Sequence, residues 1–204
     1  MLTGIFFRQS PKFDDVYRHS LIAAIQASEF FGPSVLGKEF VNTAGLSLVF
    51  RRTHLGVVTS HFPCLGPLFA AALFDTSNAF YVNPLILDDR SIVEEHIDCR
   101  YIPATGGRIL PTLVSVYYAE IDDRMDGGAL IFVTDDGSFA VPPRCNEIVH
   151  FIGSTRHYVS RICNPCRRVS IVIEQYNLGP ESLAAFPDCH VVRDQADGVA
   201  PSRN

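Results

Sequence analysis

Apolar residues recur with two different periods along this chain, and the change between them predicts its organisation. In residues 14–31 they recur every three or four positions and are followed by Gly32-Pro33, which predicts a helix that ends there. A short apolar segment, residues 63–74, predicts a second helix, and residues 46–50 predict a strand. From residue 79 onward the helical period is lost.

Short runs of β-branched and aromatic residues, separated by turn clusters, follow residue 79. Runs at this spacing are typical of an antiparallel sandwich or a jelly-roll barrel. We therefore predict an α+β fold in one domain, residues 1–204, with a helical N-terminal support (1–78), a jelly-roll core (79–176) and a loose C-terminal tail (177–204). The predicted strands are residues 80–87, 93–101, 112–121, 129–133, 139–141, 147–152, 158–162 and 169–176.

Composition narrows the function classes. The chain has 204 residues, of which 47% are hydrophobic and 19% charged, and this excludes a disordered chain. A formal net charge of -5 argues against nucleic acid or an anionic membrane surface as a partner. Neither a membrane-spanning apolar run nor a signal-like N-terminus is present, so we predict a cytoplasmic protein with reduced cysteines.

One histidine and one carboxylate stand two positions apart in a predicted strand. His96-Ile97-Asp98 is the only H-x-D sequence in the chain. Because side chains alternate along a strand, His96 and Asp98 are expected to share a face. From that face both side chains could bind one metal ion.

A third metal ligand must come from elsewhere in the chain. His157 is the preferred candidate, because it follows a strand and a turn and is far enough from His96 to come from the opposing sheet. His150 is the alternative, but it lies within an apolar strand, where a lone histidine is more often a packed side chain. Two histidines and one carboxylate leave coordination positions open, as in non-heme Fe(II) oxygenases and unlike a closed zinc site.

The last predicted strand carries a candidate anion site. Arg168 and Ser170 share one of its faces. A guanidinium matches a carboxylate with two hydrogen bonds, and a hydroxyl adds one more. The alternative is a surface arginine at the start of a strand.

Taken in chain order, these residues resemble a known family. The likeness is to the 2-oxoglutarate- and Fe(II)-dependent dioxygenases, above all their prolyl-hydroxylase-like branch, over about residues 79–176. It implies a double-stranded β-helix, that is, a cupin-like jelly roll, with helices supporting one sheet. The motifs that carry it are His96-x-Asp98, Gly127-Gly128, Phe151-x-Gly153-x3-His157 and Arg168-x-Ser170.

The resemblance also implies roles for individual residues. Arg168 and Ser170 would bind the distal carboxylate of 2-oxoglutarate. Tyr118 matches the position of a tyrosine whose hydroxyl binds the same carboxylate, and Tyr117 is the alternative. Fe(II) would be held by His96, Asp98 and His157.

The implied reaction uses 2-oxoglutarate and O2 as cosubstrates, with ascorbate as an optional reductant. It hydroxylates an unactivated C–H bond of a small molecule or peptide and releases succinate and CO2. The chain departs from the family pattern at Ala129, where an acidic residue is frequent, and in the stretch Tyr81-Val82-Asn83, where a residue near the cosubstrate is expected.

Two other functions fit the same residues. One is a metal-dependent cupin-like enzyme that does not use 2-oxoglutarate, and the other is a non-catalytic jelly-roll binding module. Arg100, Arg108 and Glu174 are candidate substrate contacts, with exposed side chains as the alternative.

Overall fold

The computed structural model describes residues 4–34, 36–99 and 108–192, which form two antiparallel sheets and a few helices. The helices are α1 (Asp15–Gln26), α2 (Leu55–His61), α3 (Gly66–Ala72) and α4 (Pro180–Ala185). The strands are β1 (Phe6–Gln9), β2 (Gly32–Pro33), β3 (Phe40–Val41), β4 (Ala44–Gly45), β5 (Ser47–Arg51), β6 (Ala79–Leu87), β7 (Ile92–His96), β8 (Leu113–Ile121), β9 (Leu130–Thr134), β10 (Gly137–Val141), β11 (Glu147–Ile152), β12 (Arg156–Val159), β13 (Arg168–Tyr176) and β14 (Cys189–Val192).

The two sheets pack face to face. The larger has the order β1-β11-β8-β13-β6-β4-β2, with β5 also beside β6 and β14 beside β5, and the smaller has the order β10-β9-β12-β7-β3. Val116 and Phe151 of the larger sheet pack in one cluster with Leu130 and Phe132 of the smaller. The predicted α+β class with a jelly-roll core is confirmed.

Strand β13 shows why the larger sheet is buried on both faces. Its residues Val169, Ile171 and Ile173 point to one side, where they pack in a cluster with Leu21 of α1 and Leu68 of α3. Burying each such side chain contributes roughly 1.5–3 kcal/mol. The intervening residues of β13 face the smaller sheet, so the helices support the sheet from outside and leave its inner face for the site.

Helix α1 follows the predicted pattern but is shorter. The carboxylate of Asp14 accepts a hydrogen bond from the backbone N–H of Tyr17 at 2.7 Å, which caps the first turn. Leu21, Ile22 and Ile25 of the predicted apolar stripe are buried, whereas Val16 is 75% exposed. The helix ends at Gln26 rather than at Phe31. Helix α3 lies inside the predicted segment 63–74, and α2 was not predicted.

The two ends of the chain contain more regular structure than expected. The part of the chain predicted as a helical support, residues 1–78, also contains strands β1 to β5. That prediction is therefore incomplete. The expectation of a loose tail is wrong for residues 180–192, which form α4 and β14. Phe186 is buried against Tyr176, and the Arg51 guanidinium donates to the carbonyl of Phe186. These contacts fix the tail to the larger sheet.

The structure bears on two predictions made from composition, those on membrane-spanning segments and on the state of the cysteines. None of the helices in the described ranges is long and apolar enough to cross a membrane. All six cysteines are free thiols. The cytoplasmic location stays a prediction.

Candidate active site

A chamber lies between the two sheets. About 500 Å³ in and around it is free of protein atoms, including the part that is open to solvent. Leu36 and Phe40, from the segment around β3, form part of its wall. Arg100 lies outside the described residues, and Arg108 is exposed. The polar residues that line the chamber are Tyr81, Asn83, His96, Asp98, His157, Arg168, Ser170 and Glu174.

His96, Asp98 and His157 meet at the wall formed by the smaller sheet. His96 and His157 are directly opposite each other in the β7–β12 pair. The Asp98 carboxylate lies between them, with Oδ1 3.5 Å from His96 Nε2 and Oδ2 3.4 Å from His157 Nε2. One ligand atom from each residue lies within 4.8 Å of the others, a spacing that suits a single metal ion.

Hydrogen bonds to the backbone prepare both imidazoles for a metal. Nδ1 of His96 lies 2.7 Å from the carbonyl of Glu94, and Nδ1 of His157 lies 3.0 Å from the carbonyl of Thr155. A carbonyl only accepts, so each Nδ1 carries the proton and each Nε2 keeps its lone pair. Burial lowers the pKa of His157, against the opposing effect of Asp98, and this favours the neutral imidazole that a metal requires.

The route by which Asp98 reaches the histidines differs from the prediction. Strand β7 ends at His96, so the extension of this strand through Asp98 is wrong. Asp98 approaches from the segment after the strand, and its side chain is only 7% exposed. His157, in contrast, lies within β12 rather than in the turn before a strand. The three side chains meet although the simple same-strand argument fails.

The competing histidine lies on the opposite face of the larger sheet. His150 is fully buried, with Nδ1 2.8 Å from Ser115 Oγ and Nε2 2.9 Å from Gln9 Oε1. Burial lowers its pKa to about 4. These contacts match its interpretation as a packed, neutral side chain.

A second polar group lies on the wall formed by the larger sheet. Ser170 of β13 is directly opposite Tyr118 of β8. The guanidinium carbon of Arg168 lies 5.0 Å from the centre of the Tyr118 ring. All three side chains are at most 2% exposed. They form what we call the anion cradle: Tyr118, Arg168 and Ser170.

The anion cradle has donors without acceptors. Among the described residues, nothing pairs with Nε or Nη1 of Arg168, with Oγ of Ser170 or with the hydroxyl of Tyr118. A buried cation without a counter-charge costs several kcal/mol. Burial raises the pKa of Tyr118, which Arg168 opposes, so the phenol keeps its proton. The cradle therefore suits a carboxylate.

Comparison with known proteins identifies the fold. No family model and no curated protein matches the chain. Among solved structures, a prolyl-4-hydroxylase from Pseudomonas putida is similar with a TM-score of 0.57 and 16% identity, over 87% of this chain and 95% of that one. A 2OG-Fe(II) oxygenase family oxidoreductase from Burkholderia pseudomallei has a TM-score of 0.54 and 16% identity, over 85% and 86%.

The fold is that of the 2-oxoglutarate- and Fe(II)-dependent oxygenases. The non-heme α-ketoglutarate-dependent epimerase SnoN, from nogalamycin biosynthesis, shares this oxygenase fold with a TM-score of 0.53 and 15% identity, over 97% of this chain and 88% of that one. One fold therefore serves enzymes named for different reactions, and the site must decide the function.

Tyr117 is not part of the chamber of this oxygenase fold. Its hydroxyl donates to Asn146 Oδ1 at 3.2 Å, and its ring packs against Phe13 at 5.6 Å. The alternation along β8 thus separates the two tyrosines and places only Tyr118 in the cradle.

The Gly127-Gly128 pair supports the strand that carries His157. Gly127 has a φ of +90°, and a Cβ there would lie 1.8 Å from the carbonyl oxygen of Arg161. The backbone N–H of Gly128 donates to the carbonyl of Ser160, directly after β12, at 3.1 Å. Only glycine permits this close approach, so the pair is structural.

Leu36, Phe40 and Asn83 are among the chamber residues to which the sequence assigned no role. Leu36 and Phe40 belong to the part interpreted as support, yet the Phe40 ring packs 4.9 Å from that of His96. Asn83 was noted only as a departure from the family pattern. Its alternation with Tyr81 and Leu85 along β6, all three lining the chamber, is the signal that could have placed it on the inner face.

Proposed function

We propose that the protein is an Fe(II)- and 2-oxoglutarate-dependent dioxygenase that hydroxylates an unactivated C–H bond of a small molecule or peptide. One observation supports this most strongly. The open triad His96, Asp98 and His157 lines the same chamber as a buried cation, Arg168, that has donors to spare. An iron ligand set alone fits many enzymes, whereas the anion cradle adds a specific reason to expect a dicarboxylate.

Each group has a defined task under this proposal. His96 and His157 bind Fe(II) through Nε2, and Asp98 binds it through its carboxylate. Arg168, Ser170 and Tyr118 bind and orient the distal carboxylate of 2-oxoglutarate. Iron with bound 2-oxoglutarate and O2 supplies the oxidising chemistry that yields succinate and CO2. Ascorbate keeps the iron reduced between turnovers.

The reaction outcome has two candidates. Hydroxylation is the first, since Asp98 keeps a protein carboxylate where halogenating relatives leave room for halide. Epimerisation at carbon is the second, because SnoN, a non-heme α-ketoglutarate-dependent epimerase, has the same fold. Both begin at an unactivated C–H bond, so the first test follows 2-oxoglutarate rather than the product.

The test is conversion of 2-oxoglutarate to succinate by the full chain with Fe(II), O2 and ascorbate. Wild-type protein is expected to turn over slowly without substrate, and a chelator or His96→Ala should abolish the activity, because iron loses a ligand. His61→Ala is the matched control, because His61 is exposed on α2 and bonds only its own helix. Turnover that survives in His96→Ala would overturn the proposal.

The same samples separate the other two functions. A cupin-like enzyme of another type should be stabilised by Fe(II) or Mn(II) but should not form succinate. A non-catalytic binding module should show no metal-dependent stabilisation at all.

A further inference from the structure

One acceptor in the chamber has no role in holding iron or 2-oxoglutarate. Asn83 of β6 is only 3% exposed and lines the chamber. Its amide nitrogen donates to the carbonyl of Leu46 at 2.7 Å and to Ser47 Oγ at 3.2 Å. A carbonyl can only accept, so the nitrogen must face Leu46 and Oδ1 must face away from it.

The surrounding strands hold the amide in this orientation. The hydroxyl of Tyr81 donates to Ser47 Oγ at 2.6 Å. Gly45 lets β4 approach β6 closely, because a Cβ at Gly45 would lie 2.0 Å from the carbonyl oxygen of Pro84. Rotating the Asn83 side chain would break both of its hydrogen bonds, so the orientation is set before any ligand binds.

Oδ1 of Asn83 is buried and has no hydrogen-bond partner among the described residues. Its nearest cross-strand neighbour on the inner face is Val172 of β13, which offers no donor. Leaving a buried acceptor unpaired costs about 1–3 kcal/mol. Such an atom marks a place where a ligand is expected to donate.

The donor cannot be 2-oxoglutarate, whose carboxylates and keto oxygen only accept hydrogen bonds at neutral pH. Asn83 is opposite Val172, so along the paired strands it lies two positions from Ser170 and four from Arg168.

We propose that Asn83 is a specificity-determining residue whose Oδ1 accepts a hydrogen bond from a hydroxyl or N–H group of the substrate. The substrate class is thus a polar molecule with a donor close to the oxidised carbon, and not a hydrocarbon chain. This inference rests on the proposed function, because it assumes that a substrate enters the iron chamber.

The test compares pairs of probe compounds in the succinate assay. The panel contains simple sugars, amino alcohols, amino acids and short peptides, each with a partner in which the donor is capped by O- or N-methylation. A site built around one acceptor should prefer the uncapped member by at least about 100-fold in kcat/KM. In Asn83→Leu this ratio should fall to within about 3-fold, because the acceptor is gone.

Asn78→Leu is the matched control. Both amide atoms of Asn78 are bonded to the backbone of Leu178, so the change costs stability without touching the chamber. It should keep the preference for uncapped compounds. If Asn83→Leu does not fold, the inference is tested by the ratio of kcat/KM for uncapped and capped compounds in the wild-type protein.

Three results would overturn the inference. Capped compounds could stimulate succinate formation as well as uncapped ones, or uncapped compounds could fail to stimulate it. The third such result is a preference for uncapped compounds that persists in Asn83→Leu. Substrate-independent succinate formation by the wild type distinguishes a failure of the proposed function from a failure of the role of Asn83. Its absence refutes the proposed function, and its presence without any preference refutes only the role of Asn83.

Discussion

The two faces of the larger sheet each bury a serine in polar surroundings, Ser115 on the helix side and Ser170 on the chamber side, and only one of the two hydroxyls is hydrogen-bonded. On the helix side, His150 lies between Ser115 and Gln9. Gln175 donates to Ser115 Oγ at 2.7 Å and accepts from the N–H of Phe74 at 2.9 Å. This cluster, which we call the helix-side network, has a partner at every site.

The chamber side also buries hydroxyl groups, but these have no hydrogen-bond partner among the described residues. Ser170 is as buried as Ser115, yet its hydroxyl has no partner among the described residues, and neither has that of Tyr118. Buried polar groups in folded proteins are normally hydrogen-bonded. A network that is complete holds the fold together, whereas one that is incomplete and lines a cavity indicates a ligand.

The largest expected effect concerns the triad. Mn(II) at about one hundred times its Kd should raise the unfolding temperature of the wild type by about 5–10 °C. Asp98→Ala should remove this shift, because the carboxylate between the two histidines is lost. Differential scanning fluorimetry measures it, with the exposed Asp123→Ala as control. A shift retained in Asp98→Ala would show that the metal binds elsewhere.

The next effect separates two neighbouring arginines. Arg168→Ala should raise the KM for 2-oxoglutarate by about 100-fold, because a buried charge-assisted pair is lost. Arg167→Ala should change it by less than about 2-fold, because that guanidinium bonds Glu120 at the surface. Steady-state kinetics of succinate formation gives both values. Equal KM values in the two variants would contradict the role of the cradle.

The two buried serines give the most direct test of the comparison. Ser115→Ala should lower the free energy of unfolding by about 1–3 kcal/mol, because His150 and Gln175 lose a partner. Ser170→Ala should change it by less than about 0.5 kcal/mol without ligand, since no protein group loses a bond. Urea unfolding of the metal-free proteins measures both. A destabilised Ser170→Ala would mean that the hydroxyl has a structural partner.

The smallest effect is a pH dependence of the helix-side network. The folded protein protonates His150 only near its pKa of about 4, whereas the unfolded chain does so near the ordinary value of about 6.5. The unfolded state thus binds more protons in this window, so stability falls as the pH drops from about 7 to 4. The loss should be about 2 kcal/mol, less than the full shift implies, because nearby polar groups partly solvate the ring.

His150→Gln should reduce this slope and leave the part due to His157, whose pKa is also lowered by burial. The exposed His19→Gln should leave the whole slope in place. The measurement is the difference in urea unfolding free energy between pH 7 and pH 5. An unchanged slope in His150→Gln would show that other groups control the acid sensitivity.

The sequence predicted well those parts of the molecule that depend on local pattern. Strand β11 has the predicted bounds, and β6, β8 and β13 differ from theirs by one residue at most, because a two-residue alternation of apolar side chains is visible in a short window. The motif series also named five residues that line one chamber, and the family resemblance added Tyr118, which packs beside two of them.

Features set by distant pairing were missed. Strand β1 is only four residues long and pairs with β11 across most of the chain, and β14 pairs with β5 in the same way. Nothing local distinguishes such segments from loops. The path of Asp98 outside β7 and the direction of the Asn83 amide depend likewise on neighbours that only the folded chain brings together.

Anaerobic titration of the Fe(II)-loaded protein with 2-oxoglutarate tests the central claim most directly. If the chamber holds iron beside the cradle, a weak visible charge-transfer band should appear and saturate at one 2-oxoglutarate per iron, and Arg168→Ala should need far more 2-oxoglutarate to reach it. A spectrum that does not change on addition of 2-oxoglutarate would contradict the account.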